Sequence, residues 1–155
     1  MSAHLNASLA VLDELLEGMQ NLLGGLDDEA VNWIPLANDT NSIAVMVVHT
    51  LGSLDTWFSR GFGVELPRNR QAEFSAQLGA RELVERVAQA RERSKAQYAR
   101  LAELDLAAPR TLTRSFGPLP AEPNAAWCVE HAIIHAGEHW GQIQLTRQLY
   151  DARAR

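Results

Sequence analysis

The chain has a single cysteine, Cys128, among 155 residues. A lone thiol excludes an intramolecular disulfide and any multi-cysteine zinc or iron–sulfur centre, which leaves soft metal ligation to histidine. Basic residues are also in the minority: 14 lysines and arginines face 19 aspartates and glutamates, a formal charge of −5. A nucleic-acid partner would bind against that overall field, and none is expected. No apolar stretch runs uninterrupted for the roughly 18 residues that a membrane span needs. The opening MSAHLNASLA also lacks the basic and apolar regions of a signal peptide. A cytoplasmic protein with no membrane partner is the expectation. Low-complexity runs and long blocks of one charge are missing too, so the whole chain is expected to fold, as one domain spanning 1–155.

What is present is helical periodicity. Leu5, Leu9, Leu12, Leu16, Met19 and Leu23 recur in steps of four and three, the stripe of a bundle helix, until Gly24 and Gly25 end it. A short capped turn should begin near Asp27 and end by Pro35, with Trp33 plugging the core. Behind the polar run Asn38 to Ser42, the residues Ile43, Val47, Leu51, Leu54 and Phe58 form a second stripe that lasts to Gly61 and Gly63. Residues 64–78 contain Pro67 and no sustained period, which reads as a long surface connection. A third long helix is predicted from Ala80 to Leu104, with Leu83, Val87, Ala90, Ser94, Tyr98 and Leu101 on one face and a supporting Glu82–Arg86 pair. Its weak Ala90 and Ser94 centre predicts partial exposure. Arg91, Arg93, Lys95 and Arg100 are interleaved with glutamates and read as a solvated helix face. Pro109, Pro118, Pro120 and Pro123 forbid helix ahead of the last one, predicted from Asn124 to Tyr150 with Val129, Ile133, Ile143 and Leu149 in its seam. The sum is an all-α four-helix bundle whose two long connections leave room for a crossover.

Five histidines occur, and three of them, His131, His135 and His139, are spaced by four. On a helix, positions i and i+4 lie one above the other on nearly the same face, where two imidazoles can converge on one ion. All three cannot, because the outer two are about 12 Å apart along the axis. His135 and His139 are the better pair, since Gln142 follows one turn later and Gly137 and Gly141 would let another helix approach. A third ligand must come from elsewhere, and His49 is the candidate: it interrupts the apolar run VMVVHTLGSL, where a buried imidazole without a partner would be costly. A hydrogen-bonded structural histidine is the ordinary alternative for His49. Gly52 and Ser53 beside it are small enough to leave a pocket. His131 reads as a structural or supporting residue and His4 as a surface one. His135-Ala-Gly-Glu-His139 also matches an inverted zinc-protease pattern, but only 16 residues follow, too few for the further helix such enzymes need.

HAGEHWGQIQLTRQL resembles the last-helix signature of the DinB-like, damage-inducible superfamily: a histidine, three residues, a histidine, then Gly-Gln-Ile. NSIAVMVVHTLGSLDTWF is similar to the family's histidine-bearing second helix, and the element order agrees along the whole chain. The resemblance implies that His49, His135 and His139 form a three-histidine site for a divalent metal, zinc or nickel or else iron, in a homodimer. Trp140 stands where many relatives have arginine, and is read as a hydrophobic lid or dimer contact.

Three neutral imidazoles leave a divalent ion an open position, the mark of a catalytic site. The expectation is a metal-dependent enzyme acting on a small-molecule substrate, either a transferase of a low-molecular-weight thiol or a hydrolase. The competing expectation is a non-catalytic, metal-stabilised, stress-associated bundle. No catalytic acid, base or nucleophile stands out: Asp55 and Glu138 point away from the ligands by helical phase, and Cys128 belongs in the core.

Overall fold

Helices begin here at residues whose side chains satisfy orphan amides. Ser2 accepts from the Leu5 amide to start α1 (Ala3–Gly24), and Asp27 from Ala30 to start α2 (Asp28–Asn32). Ser42 does the same for α3 (Ile43–Gly61), and Asn69 for the single turn α4 (Arg70–Glu73). The fifth helix, α5 (Ala80–Leu101), follows Gly79, which has no side chain to offer. Asp28 Oδ1 accepts from the Ala80 amide instead, at 2.8 Å, so a residue of α2 caps α5 from 52 positions away. Asn124 caps α6 (Ala125–Ala152).

The computed structural model describes residues 1–36, 38–112 and 122–153. Among them there is no strand, only an isolated bridge between Pro109 and Asn124. The four long helices form the all-α bundle: α3 lies against α6 and α1 against α5, and the square closes through α1 with α6 and α3 with α5. The α1 stripe is buried from Leu5 to Leu23 apart from the partly covered Leu9, and the whole α3 stripe is buried.

Several sequence expectations need correction. The α5 face is not partly exposed, because Ala90 and Ser94 are both buried. Small residues in the middle of a stripe mark a helix contact here, and Arg91 of α5 beside them reaches Asp13 of α1 with two bonds of 2.8 and 2.9 Å. The helix also stops at Leu101, three residues early. The other cations do lie on a solvated face with partners: Arg93 with Asp55, Lys95 with Glu92, and Arg100 over the Phe62 ring. Trp33 is half-buried, edge-on to Tyr150 at 5.7 Å, and the residues its connector gives to the core are Ala30 and Val31. Leu149 is exposed, for it lies about 120° round α6 from Ile143, and Thr146 takes the buried place. The connection 64–78 is not all surface, since it contains α4 and the buried Glu73. Pro118 and Pro120 lie outside the described residues.

Candidate metal centre

Because α3 packs on α6, one histidine from the first and two from the second meet. The ring centroids of His49 and His135 are 5.2 Å apart, those of His49 and His139 5.1 Å, and those of His135 and His139 4.5 Å. One ring nitrogen from each lies within 4.8 Å of the other two, close enough for a single ion to be held. His131 is excluded from this cluster. Its ring lies between Trp57 at 4.2 Å and Trp127 at 4.8 Å, and 6.4 Å from His135. His4 is at the surface beside Glu130.

Hydrogen bonds decide which nitrogen each ring presents. His49 Nδ1 lies 2.9 Å from Glu73 Oε2, so the Nδ1–H donates to the carboxylate and the Nε2 lone pair is left for the cluster. Arg68 holds that carboxylate from the other side, donating through Nε to Oε1 at 2.6 Å and through Nη2 to Oε2 at 2.7 Å. Its Nη2 also donates to the His49 carbonyl at 3.1 Å; the 3.3 Å approach to His49 Nδ1 is donor facing donor, and we read it as proximity within this bracket. His139 Nδ1 lies 2.7 Å from Gln142 Oε1, which fixes the second tautomer in the same sense. His135 differs: its Nδ1 is buried and has no hydrogen-bond partner among the described residues. An orphaned imidazole nitrogen inside a ring of histidines is the feature a cation would relieve, and a neutral three-imidazole donor set suits zinc, nickel or ferrous iron.

Glu73 and Arg68 are the functional residues that sequence reasoning misses. Neither belongs to a periodic helix, and the only local signal is Asn69, a capping residue ahead of RQAE. Gly52 also acquires a different role. It does not open the pocket but makes room for the carboxylate, since a Cβ there would stand 2.6 Å from Glu73 Oε1 and 3.2 Å from Cδ. With Glu73 pinned by Arg68 and His49, Gly52→Ala is expected to push the carboxylate off His49 despite its better helix propensity. The loss of a ligand's supporting hydrogen bond should weaken metal binding about tenfold to a hundredfold, as measured by competition against a chromophoric chelator.

Burial lowers the pKa of His49, against the opposing pull of Glu73 and with help from Arg68 and His139. Burial likewise lowers that of His131, and it takes His135 from 6.5 down to about 3, helped by His139, His49, His131 and Arg68. All three are neutral near pH 7, the form that binds metal. In the unfolded chain these rings take up protons as the pH falls below 6.5, while the folded chain resists. The metal-free protein is therefore expected to keep its stability above pH 6.5 and to lose it progressively towards pH 3. A thermal-melt series across that range measures this, and His135→Gln should reduce the slope.

A cavity of about 230 Å³ adjoins the cluster, lined by His49 and His135 together with Trp57, Arg60 and Arg68. Ser53 and Thr56 line it as well. Asp55 is paired with Arg93 and Glu138 is exposed, so neither serves the cluster, and Cys128 is buried in the core. Gly137 and Gly141 do not admit a helix of this chain, because a Cβ at either would meet nothing within 4 Å. Trp140 is not a lid: its ring packs on α1, 2.9 Å from where a Cβ at Gly18 would stand.

Fold and site together define a helical-bundle protein with a partly buried three-histidine cluster that could hold a metal ion. The family model described as the DinB superfamily matches residues 11–143, and the chain belongs to that superfamily. A solved structure described as a conserved protein of a locus from Enterococcus faecalis has the same fold, with a TM-score of 0.74 at 18% identity over 96% of this chain and 97% of that one. No curated protein matches the chain. None of its described helices is long and apolar enough to cross a membrane.

Proposed function

We propose that this chain is a metal-dependent enzyme that acts on a small molecule at a three-histidine centre formed by His49, His135 and His139. The observation that carries the reading is the pair of pre-set tautomers: Glu73 and Gln142 each occupy an Nδ1, so two rings from different helices turn their other nitrogen to one point. A divalent ion held there supplies Lewis acidity, lowering the pKa of a bound water or holding a substrate thiol as its thiolate. Arg68 and Glu73 hold the His49 ring in place while burial keeps it neutral, and the cavity beside the rings gives a substrate access. That access favours an enzyme over a purely structural centre, in which the ligands would be closed off.

Untagged protein, supplied with zinc, nickel or ferrous iron and desalted, is expected to retain about one ion per chain by elemental analysis, the number a single such site holds. A ratio near zero after supplementation rejects the reading. If chelation melts the fold and no thiol or ester substrate turns over, the ion is structural instead.

We also take the chain to act as a homodimer. In support, α6 is apolar on both sides: Ile134, Leu145 and Leu149 are exposed on its outer surface near the uncovered Gly141. Leu145→Glu would then yield a monomer in sedimentation equilibrium.

A further inference from the structure

The cavity beside the histidines has a chemical bias of its own. Arg60 is buried, its guanidinium lies 4.7 Å from the Trp57 ring, and it grips Glu65 through Nε and Nη2. Arg68 grips Glu73 through the same two nitrogens. In both arginines Nη1 donates to no described residue; Arg60 keeps its outer edge unused, while Arg68, whose Nη2 also donates to the His49 carbonyl, keeps Nη1 alone. Ser53 is 2% exposed, lines the same cavity, and its hydroxyl forms no hydrogen bond with a described residue. Donors without a partner among the described residues are available to an acceptor that enters the cavity. Charge points the same way. Arg60 and Arg68 line the space and are matched one for one by Glu65 and Glu73, so an ion would tip the balance: three neutral imidazoles would leave its two charges uncompensated.

We propose that this cavity is a subsite for a small organic carboxylate, whose anionic head is received by Arg60, Arg68 and the Ser53 hydroxyl while its apolar body lies on Trp57. Arginine edges match a carboxylate in plane and charge. One negative charge would offset part of that surplus, whereas the second charge of a phosphate dianion would fall beside Glu65. A volume of about 230 Å³ is below that of typical drug-sized sites, which limits the ligand to something near the size of benzoate. The subsite rests on the enzymatic reading and deepens it by naming the substrate's head group, yet its contacts come from the chain alone and can be tested with the ion absent.

The test titrates benzoate, its neutral isostere benzamide, and inorganic phosphate into metal-free and zinc-loaded protein. The readout is the Trp57 indole N–H resonance, assigned through Trp57→Phe. Benzoate is expected to shift that resonance saturably in both forms, with benzamide and phosphate at least tenfold weaker. Ser53→Val, which fills the space without disturbing an ion pair, and Arg60→Gln should each weaken benzoate at least tenfold while the remaining indole resonances stay in place. If Arg60→Gln does not fold, Ser53→Val decides. Equal binding of benzamide, tighter binding of phosphate, no binding at all, or zinc-dependent binding indifferent to Ser53→Val overturns the subsite. A failure of zinc to bind appears in the metal stoichiometry, and the metal-free titration then decides for or against the carboxylate.

Discussion

Exchange of His49 for alanine is expected to cost the protein its ion while sparing most of its helices. His49 is the only member of the cluster on α3, and without it His135 and His139 hold a cation from one helix alone. Loss of an outer partner of a ligand typically lowers affinity tenfold to a hundredfold; loss of the ligand itself should exceed that range, taking the retained metal from about one per chain to near zero after desalting. His135→Ala and His139→Ala should behave alike, whereas His131→Ala should keep the ion, because its ring sits between two tryptophans. Metal loss in the His131 variant equal to that in the others would mean that the wrong three rings have been chosen. Circular dichroism separates loss of ligand from loss of fold.

The second large effect belongs to Glu73. Its side chain is 10% exposed, that of Arg68 is 20%, and the carboxylate is the group that both Arg68 and His49 require. Glu73→Gln keeps the shape and removes the charge. Breaking a buried pair by deleting one partner costs roughly 3–5 kcal/mol, which the partial exposure of Arg68 reduces to about 2–3 kcal/mol. The amide has a further consequence. Its NH₂ can donate to His49 Nδ1, favouring the tautomer that carries the proton on Nε2, the nitrogen meant for the ion. Metal affinity should therefore fall tenfold to a hundredfold even where the fold survives. Denaturant unfolding of the metal-free variant reads the first effect and chelator competition the second. A variant as stable as the parent, with unchanged affinity, would show that Glu73 is a bystander.

The bundle is legible in the sequence because its signals are local and repeated. Leu5 to Leu23 and Ile43 to Phe58 each state a buried face several times over, and Ser42 and Asn124 mark helix starts in the residue itself. The histidine trio is legible for a similar reason: spacing by four singles out His135 and His139, and an imidazole inside an apolar helix asks for a partner. The partner that answers is Glu73, on a four-residue helix without periodicity, and nothing in its neighbours says that it is buried. Gly52 shows the same limit. Its small size is plain, but whether it serves a ligand or a carboxylate depends on a segment that folds over it from some twenty residues away. Trp33 and Leu149 fail differently, since a large apolar residue near a helix end can settle on the outside of the bundle at little cost.

The glycines of α6 bear on how the site behaves before any ion arrives. Gly137 lies between His135 and His139, Gly141 comes two residues after His139, and neither is braced by neighbouring atoms of the described residues. Each lowers helix stability by roughly 1 kcal/mol relative to alanine. The turn that sets the spacing of two of the three histidines is thus the one whose backbone amides should exchange with solvent most readily along the middle of α6. An ion joining its ends would slow that exchange first, well before global unfolding is affected.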